Sequence, residues 1–390
     1  MASNDGNFFF IDRTGDVLLT LNNPGAPFAA WQPRDEDSSS DDTVQSGADN
    51  DMLAEESHSV RRNGTSQDES GADSESNNAD TRLPQGSPQS APKVYLVSSR
   101  HLINASAKFR SELTGSWSES LRDEDGMYHL TTCDWDADAF AILLNIYHLQ
   151  YRQVPRELGL EMLAKMAVLV DYYRCWEAFD LIAPLWVQAA ITASPLSEKY
   201  ERDTMLWMVV SWVFKLPEKF QETTSIVINR NEESDVRDME LGIPPPILDE
   251  LRTRRAQTIK KALETCHQCM NEWADDYHCA KGVRNSFACG SILLGALMKG
   301  LHRLKLLSPP PSAPFPGWSI VSICQNLAQI PSATWYDRGN SSRRHDCTLE
   351  NTLHPKIALI LSQVKGLILE DFRDRGEEEV DQVTRAVGAL

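Results

Sequence analysis

What this 390-residue sequence lacks narrows its function first. It has no long hydrophobic run: the longest nearly apolar stretches, 206–214 and 288–298, fall well short of the roughly 20 residues a spanning helix needs, so no membrane partner is expected. The amino terminus has no leader pattern either, because the short apolar run from Phe8 to Ile11 is flanked by Asp5 and Asp12; an intracellular address, nuclear or cytoplasmic, follows. Basic residues are scarce, 38 Lys and Arg against 56 Asp and Glu, and a net charge of −18 argues against nucleic acid as a partner, since phosphate neutralisation needs clustered cations. There is no Gly-x-Ser-x-Gly elbow, His-Glu-x-x-His, Walker loop or dinucleotide fingerprint, so neither an enzyme nor a cofactor is expected.

Cysteine is sparse as well. The eight are scattered through helical stretches, and in an intracellular setting they read as reduced thiols. Cys266-His267-Gln268-Cys269, with His278, Cys279 and Cys289 downstream, is the best metal pattern. Zinc wants four nitrogen or sulfur ligands, and no second Cys-x-x-Cys completes the set. Two cysteines three apart on an amphipathic helix also face one side, as core thiols do, so the expected metal site is none. Cys266, Cys269, His278 and Cys279 remain the candidates should the helical half be a zinc-stabilised module. The basic cluster Arg252, Arg254, Arg255, Lys260 and Lys261, set among Leu251, Ile259 and Leu263, reads as the solvated face of an amphipathic helix.

What is present begins with a change of period. Across 94–113, Tyr95 and Val97 alternate with Leu96 and Ser98 as in a strand, and after Ser99 the apolar residues Leu102, Phe109 and Leu113 take helical spacing. An earlier strand, Val17 to Leu21, ends at the turn formers Asn22-Asn23-Pro24-Gly25. Residues 34–92 separate the two. They carry 14 acidic and 4 basic residues and few large apolar side chains, so a disordered acidic insertion is expected there. A third short strand is expected at 127–130. A helix follows to about Leu149, with Asp134 as N-cap and Phe140 and Tyr147 on one face. Helices are then expected over 158–172 and 175–190. The second half holds no strand-rich block, and its helical patterns cover 204–215, 220–228, 247–273, 287–304, 320–330 and 357–372.

The run VSSRHLINASAKFRSELTGSW resembles the strand-to-helix opening of a BTB/POZ domain in its filamentous-fungal variant. DADAFAILLNIYHLQYRQVP and LEMLAKMAVLVDYYRCWEAF are similar to that family's later helices, while SILLGALMKGLHRLKLLSPPPSAPFPGWS and HPKIALILSQVKGLILEDF resemble the second half of the same proteins. The resemblance implies an α+β fold. A tail (1–15) precedes a BTB/POZ-like domain (16–190), a small sheet with helices; an all-helical region (191–375) and an acidic tail (376–390) follow. It also implies an interaction unit built on Val97, His101, Leu102, Phe109, Leu113, Trp117, Phe140 and Tyr147. By the same resemblance the function is non-catalytic protein binding, as a self-associating scaffold or regulator with a possible homodimer, or as an adaptor of a cullin-type ubiquitin ligase. Ser98-Ser99 stands where many BTB proteins carry His-Lys or His-Arg, a departure that weakens the carry-over of the charged pocket of the zinc-finger members.

Overall fold

Three phenylalanines form the first strand, β1 (Phe8–Phe10), inside the stretch expected to be a tail. The computed structural model describes residues 7–31, 91–116, 118–336 and 344–373. Trp117, the tail at 376–390 and all but the last two residues of the 34–92 insertion lie outside them. β2 (Val17–Asn22) buries Val17, Leu19 and Leu21 completely, as period two dictates. It pairs antiparallel with β3 (Lys93–Val97) in the register Val17↔Val97 to Leu21↔Lys93, so the two expected strands are neighbours across the insertion. β1 runs parallel to β3 on its other side.

The helix expected to run on to Leu113 is two helices, α1 (Ser99–Ala105) and α2 (Ala107–Thr114). The break is at Ser106, whose extended backbone lets its hydroxyl accept from Phe109 N and donate to the Tyr173 carbonyl. β4 (Tyr128–Cys133) then lies parallel to β2 and completes the order β1-β3-β2-β4. α3 (Ala137–Tyr147) is capped by Asp136, which accepts from the N–H groups of Asp138 and Ala139. Asp134 is left-handed at φ 65° and accepts from the Asn23 amide instead, so the cap sits two residues later than expected. Tyr95 of the sheet meets Phe140 of α3 edge to face at 5.6 Å.

α4 (Leu160–Tyr173), α5 (Trp176–Phe179) and α6 (Ala183–Ala193) follow. Next comes α7 (Arg202–Val213), buried on every side from Thr204 to Ser211 and packed against α4. A helix apolar all round must lie inside a core, and α7 lies between the sheet-bearing half and α8 (Pro217–Arg230). The rest is α9 (Pro245–Asp275), α10 (Ser286–Arg303), α11 (Ile320–Ala328), α12 (Leu349–Thr352) and α13 (His354–Ser362). These strands and helices belong to one compact unit, and the boundary expected at 190 falls inside α6. No described helix is long and apolar enough to cross a membrane.

Two further expectations are corrected here. Arg255, assigned to a wet helix face, is buried on α9. The last helical stretch is interrupted: α13 stops at Ser362 and helix resumes only at 370–373, and between them Gly366 lies against the Gln221 carbonyl of α8 and Leu367 N–H donates to Thr224 Oγ1 at 2.9 Å.

Candidate functional site

Close packing of α9 against α10 builds the most chemically distinctive place in the described chain. Gly290, at the start of the second turn of α10, sits where a Cβ would press on the Trp273 carbonyl. Only glycine lets the helix start that close to the end of α9, and this carries Cys289 beside Cys279 in the connecting loop. The loop turns over Cys279–Gly282, with Gly282 N–H donating to the Cys279 carbonyl at 3.0 Å and Gly282 at φ 127°. From the other side, a bridge between Tyr336 and Arg344 and the His345 N–H to Trp335 carbonyl bond (3.0 Å) bring in His345 and Cys347.

The donor atoms of Cys279, Cys289, His345 and Cys347 all lie within 4.8 Å of one another, and all four side chains are buried. Cys279 Sγ is 3.6 Å from Cys289 Sγ, 3.6 Å from Cys347 Sγ and 3.5 Å from His345 Nδ1; Cys289 Sγ is 3.3 Å from the same nitrogen. Burial pushes the Cys289 thiol up to about 12 and raises Cys347. Burial acts the same way on Cys279, but the Lys281 N–H and the neighbouring Cys289, Cys347 and His345 outweigh it, so Cys279 is lowered. Three sulfurs and an imidazole nitrogen are a donor set for a thiophilic metal ion.

The metal candidates read from sequence divide between this place and others. Cys279 belongs to the cluster. Cys266 is a buried thiol within α9, pushed up to about 12 by burial; Cys269 accepts from Lys356 Nζ at 3.5 Å; and His278 is exposed beside Asp276. Sequence reasoning did not join His345 and Cys347 to the set, since 55 residues part Cys289 from His345. The available signal was a His-x-Cys pair facing a Cys-x9-Cys pair.

A second cluster, Asp12, His101 and His148, lies under the turn that joins β3 to α1. It is not free to ligate: His148 Nδ1 donates to the Leu144 carbonyl (2.8 Å), which leaves Nε2 to accept from Ser98 N–H (3.0 Å). Asp16 holds the same turn, taking the Ser99 N–H at 2.8 Å and its hydroxyl at 2.9 Å, with the Arg122 guanidinium at 2.6 Å. His101 packs its ring 4.7 Å from His148, and its Nδ1 is buried without a partner. Val97, Leu102, Phe109, Leu113, Phe140 and Tyr147 are core residues around this turn.

Burial, with His101 alongside, keeps His148 below its usual value although the Leu144 bond and Asp12 oppose it. A histidine held neutral in the fold but free to charge when unfolded, near about pH 6.5, makes stability fall as pH drops below that value, until the folded histidine also protonates. The urea midpoint therefore falls between about pH 7.5 and about pH 5.5, and less so in His148→Gln. His354, also lowered by burial, is common to both proteins, so an unchanged slope in His148→Gln would rule this account out.

No protein-family model, no curated protein and no solved structure matches this chain.

Proposed function

We propose that the protein is a non-catalytic protein–protein interaction protein. Its α+β half acts as a BTB/POZ-like docking unit that self-associates, and its helical half is a rigid extension of that unit. The observation that carries this reading is the pairing of β2 with β3 across the insertion, followed at once by the α1–α2 hairpin over Leu102, Phe109 and Leu113. That is the strand-to-helix order of the family the sequence resembles. Large apolar side chains left in water close to one another in the chain, Trp176, Leu181 and Leu185, favour association further; Leu181 is 91% exposed.

Because α4 packs on α7, the whole chain is the right object to test, not residues 16–190 alone. Light scattering on the eluting full-length protein is expected to give about twice the 43.8 kDa of one chain. The double variant Leu181→Asp and Leu185→Asp is expected to elute as a monomer with an unchanged circular dichroism spectrum. A monomeric wild type at high concentration would defeat the self-association reading. Recovery of a cullin by affinity purification would move the function to the ligase adaptor.

A further inference from the structure

We propose that Cys279, Cys289, His345 and Cys347 form a structural zinc site that fastens the α9–α10 corner to the segment carrying His345 and Cys347. Zinc–sulfur bonds of about 2.3 Å and zinc–nitrogen bonds of about 2.0–2.1 Å, set at a tetrahedral angle, require sulfur–sulfur edges of about 3.8 Å and sulfur–nitrogen edges of about 3.6 Å. The edges found are 3.6 and 3.6 Å between sulfurs and 3.5 and 3.3 Å from sulfur to nitrogen. The two remaining edges, from Cys347 Sγ to Cys289 Sγ and to His345 Nδ1, lie within 4.8 Å, so the four donors are placed to surround one ion.

The competing explanations fit less well. A disulfide would bring two sulfurs to about 2.05 Å, and all three cysteines here are unbridged. Core thiols packed for their apolar character need no imidazole among them. Elsewhere in the chain a buried cysteine is satisfied by ordinary means, as Cys175 is by the Val170 carbonyl at 3.6 Å. Calcium and magnesium take oxygen donors, and none is in this set. Three sulfurs with one imidazole select zinc, and four protein ligands close its shell, which makes the site structural and leaves no position for a reacting water.

The surroundings also suit an ion carrying three thiolates. Trp335 Nε1–H donates to Cys289 Sγ at 3.2 Å, the Lys281 backbone N–H donates to Cys279, and the Tyr277 hydroxyl bonds Cys347. Zinc with three thiolates keeps one negative charge, and these donors are aimed at the sulfurs that hold it. The Trp335 ring lies 4.7 Å from His345 and fixes the imidazole plane. Lys281 reaches the Arg344 carbonyl and, at 3.4 Å, the Asp346 carboxylate, so the two ligand-bearing segments are tied independently of the ion. Binding releases the three thiol protons and closes the long loop between Cys289 and His345, which couples metal affinity to folding.

Metal analysis of the full-length protein, purified reduced and without chelator, is expected to find about one zinc per chain. Cys289→Ser and His345→Ala are expected to fall to background, and the double variant Cys266→Ser and Cys269→Ser to keep its zinc. Should the ligand variants fail to fold, the wild type decides alone. After the metal is stripped, titration with cobalt is expected to give the intense visible bands of a tetrahedral ion and thiolate-to-cobalt charge transfer, saturating at one equivalent and abolished by zinc. Zinc retained in Cys289→Ser, zinc lost with Cys266 and Cys269, or a wild type that carries no zinc and takes up no tetrahedral cobalt would each overturn the proposal. Metal content is read equally from monomer or dimer, so this result stands apart from the self-association test.

Discussion

Arg255→Met is expected to destabilise the full-length protein by about 2–5 kcal/mol, at about 1–3 kcal/mol for each buried acceptor left unsatisfied, a large share of the roughly 5–15 kcal/mol that holds a domain together. The guanidinium, 4% exposed, gives all its fork to backbone carbonyls: Nε to Asn231 (2.8 Å), one terminal nitrogen to Pro314 (2.7 Å), the other to Phe315 (2.9 Å) and Trp318 (2.7 Å). Asn231 is the C-cap of α8 and Trp318 adjoins the N-cap of α11, so one side chain on α9 joins three helices. Methionine keeps the apolar stem and removes the donors, which leaves four carbonyls without this partner, the bonds to Asn231 and Phe315 being fully buried. Arg255→Lys is expected to recover only part of the loss, because a point ammonium has no fixed fork. The neighbour Arg254, which makes only a half-exposed pair with Glu250, supplies the control: Arg254→Ala is expected to cost no more than about 1 kcal/mol. Urea unfolding of the three variants checks this, and an Arg255→Met midpoint equal to that of Arg254→Ala would refute it.

The second large effect is expected from one added methyl group. In Gly366→Ala the new Cβ falls on the Gln221 carbonyl of α8, a backbone atom that cannot swing aside, and presses on Thr224 Oγ1. That hydroxyl already donates to the Phe220 carbonyl at 2.6 Å and accepts from Leu367 N–H. Moving the segment to relieve the clash breaks the second bond and pulls the buried Leu367 and Leu369 out of the core. Overpacking of this kind costs about 1–3 kcal/mol, and the added loss of two buried leucines places Gly366→Ala at the top of that range or beyond it. Gly295, in the middle of α10 with open space around it, predicts the opposite sign: Gly295→Ala is expected to stabilise by about 0.5–1 kcal/mol through lower chain entropy. Chemical denaturation compares the two directly, and equal midpoints would contradict the packing argument.

Local pattern was enough wherever a segment's fate depended on its own residues. Val17, Leu19 and Leu21 at period two announce β2, and the apolar stretch around Trp207 announces a helix that lies in the core. β1 escaped because three phenylalanines next to Asp5 and Asp12 have no alternation to read; pairing with β3 alone makes them a strand. At Ser106 helical spacing continues across a break that exists because the Tyr173 carbonyl, 67 residues away, accepts the serine hydroxyl.

By itself, then, the sequence determined an α+β chain with a small sheet in its first part and helices through the rest, since period and turn chemistry are properties of neighbours in the chain. The tertiary structure alone decided that Arg255 is buried, that 364–368 leaves the helix, and that Cys279 and Cys289 meet His345 and Cys347 while Cys266 and Cys269 stand apart. Each of these depends on atoms brought together from opposite ends of a long loop. No spacing rule records where a loop returns, and only the packing of α8, α9 and α10 brings those groups within a few ångströms of one another.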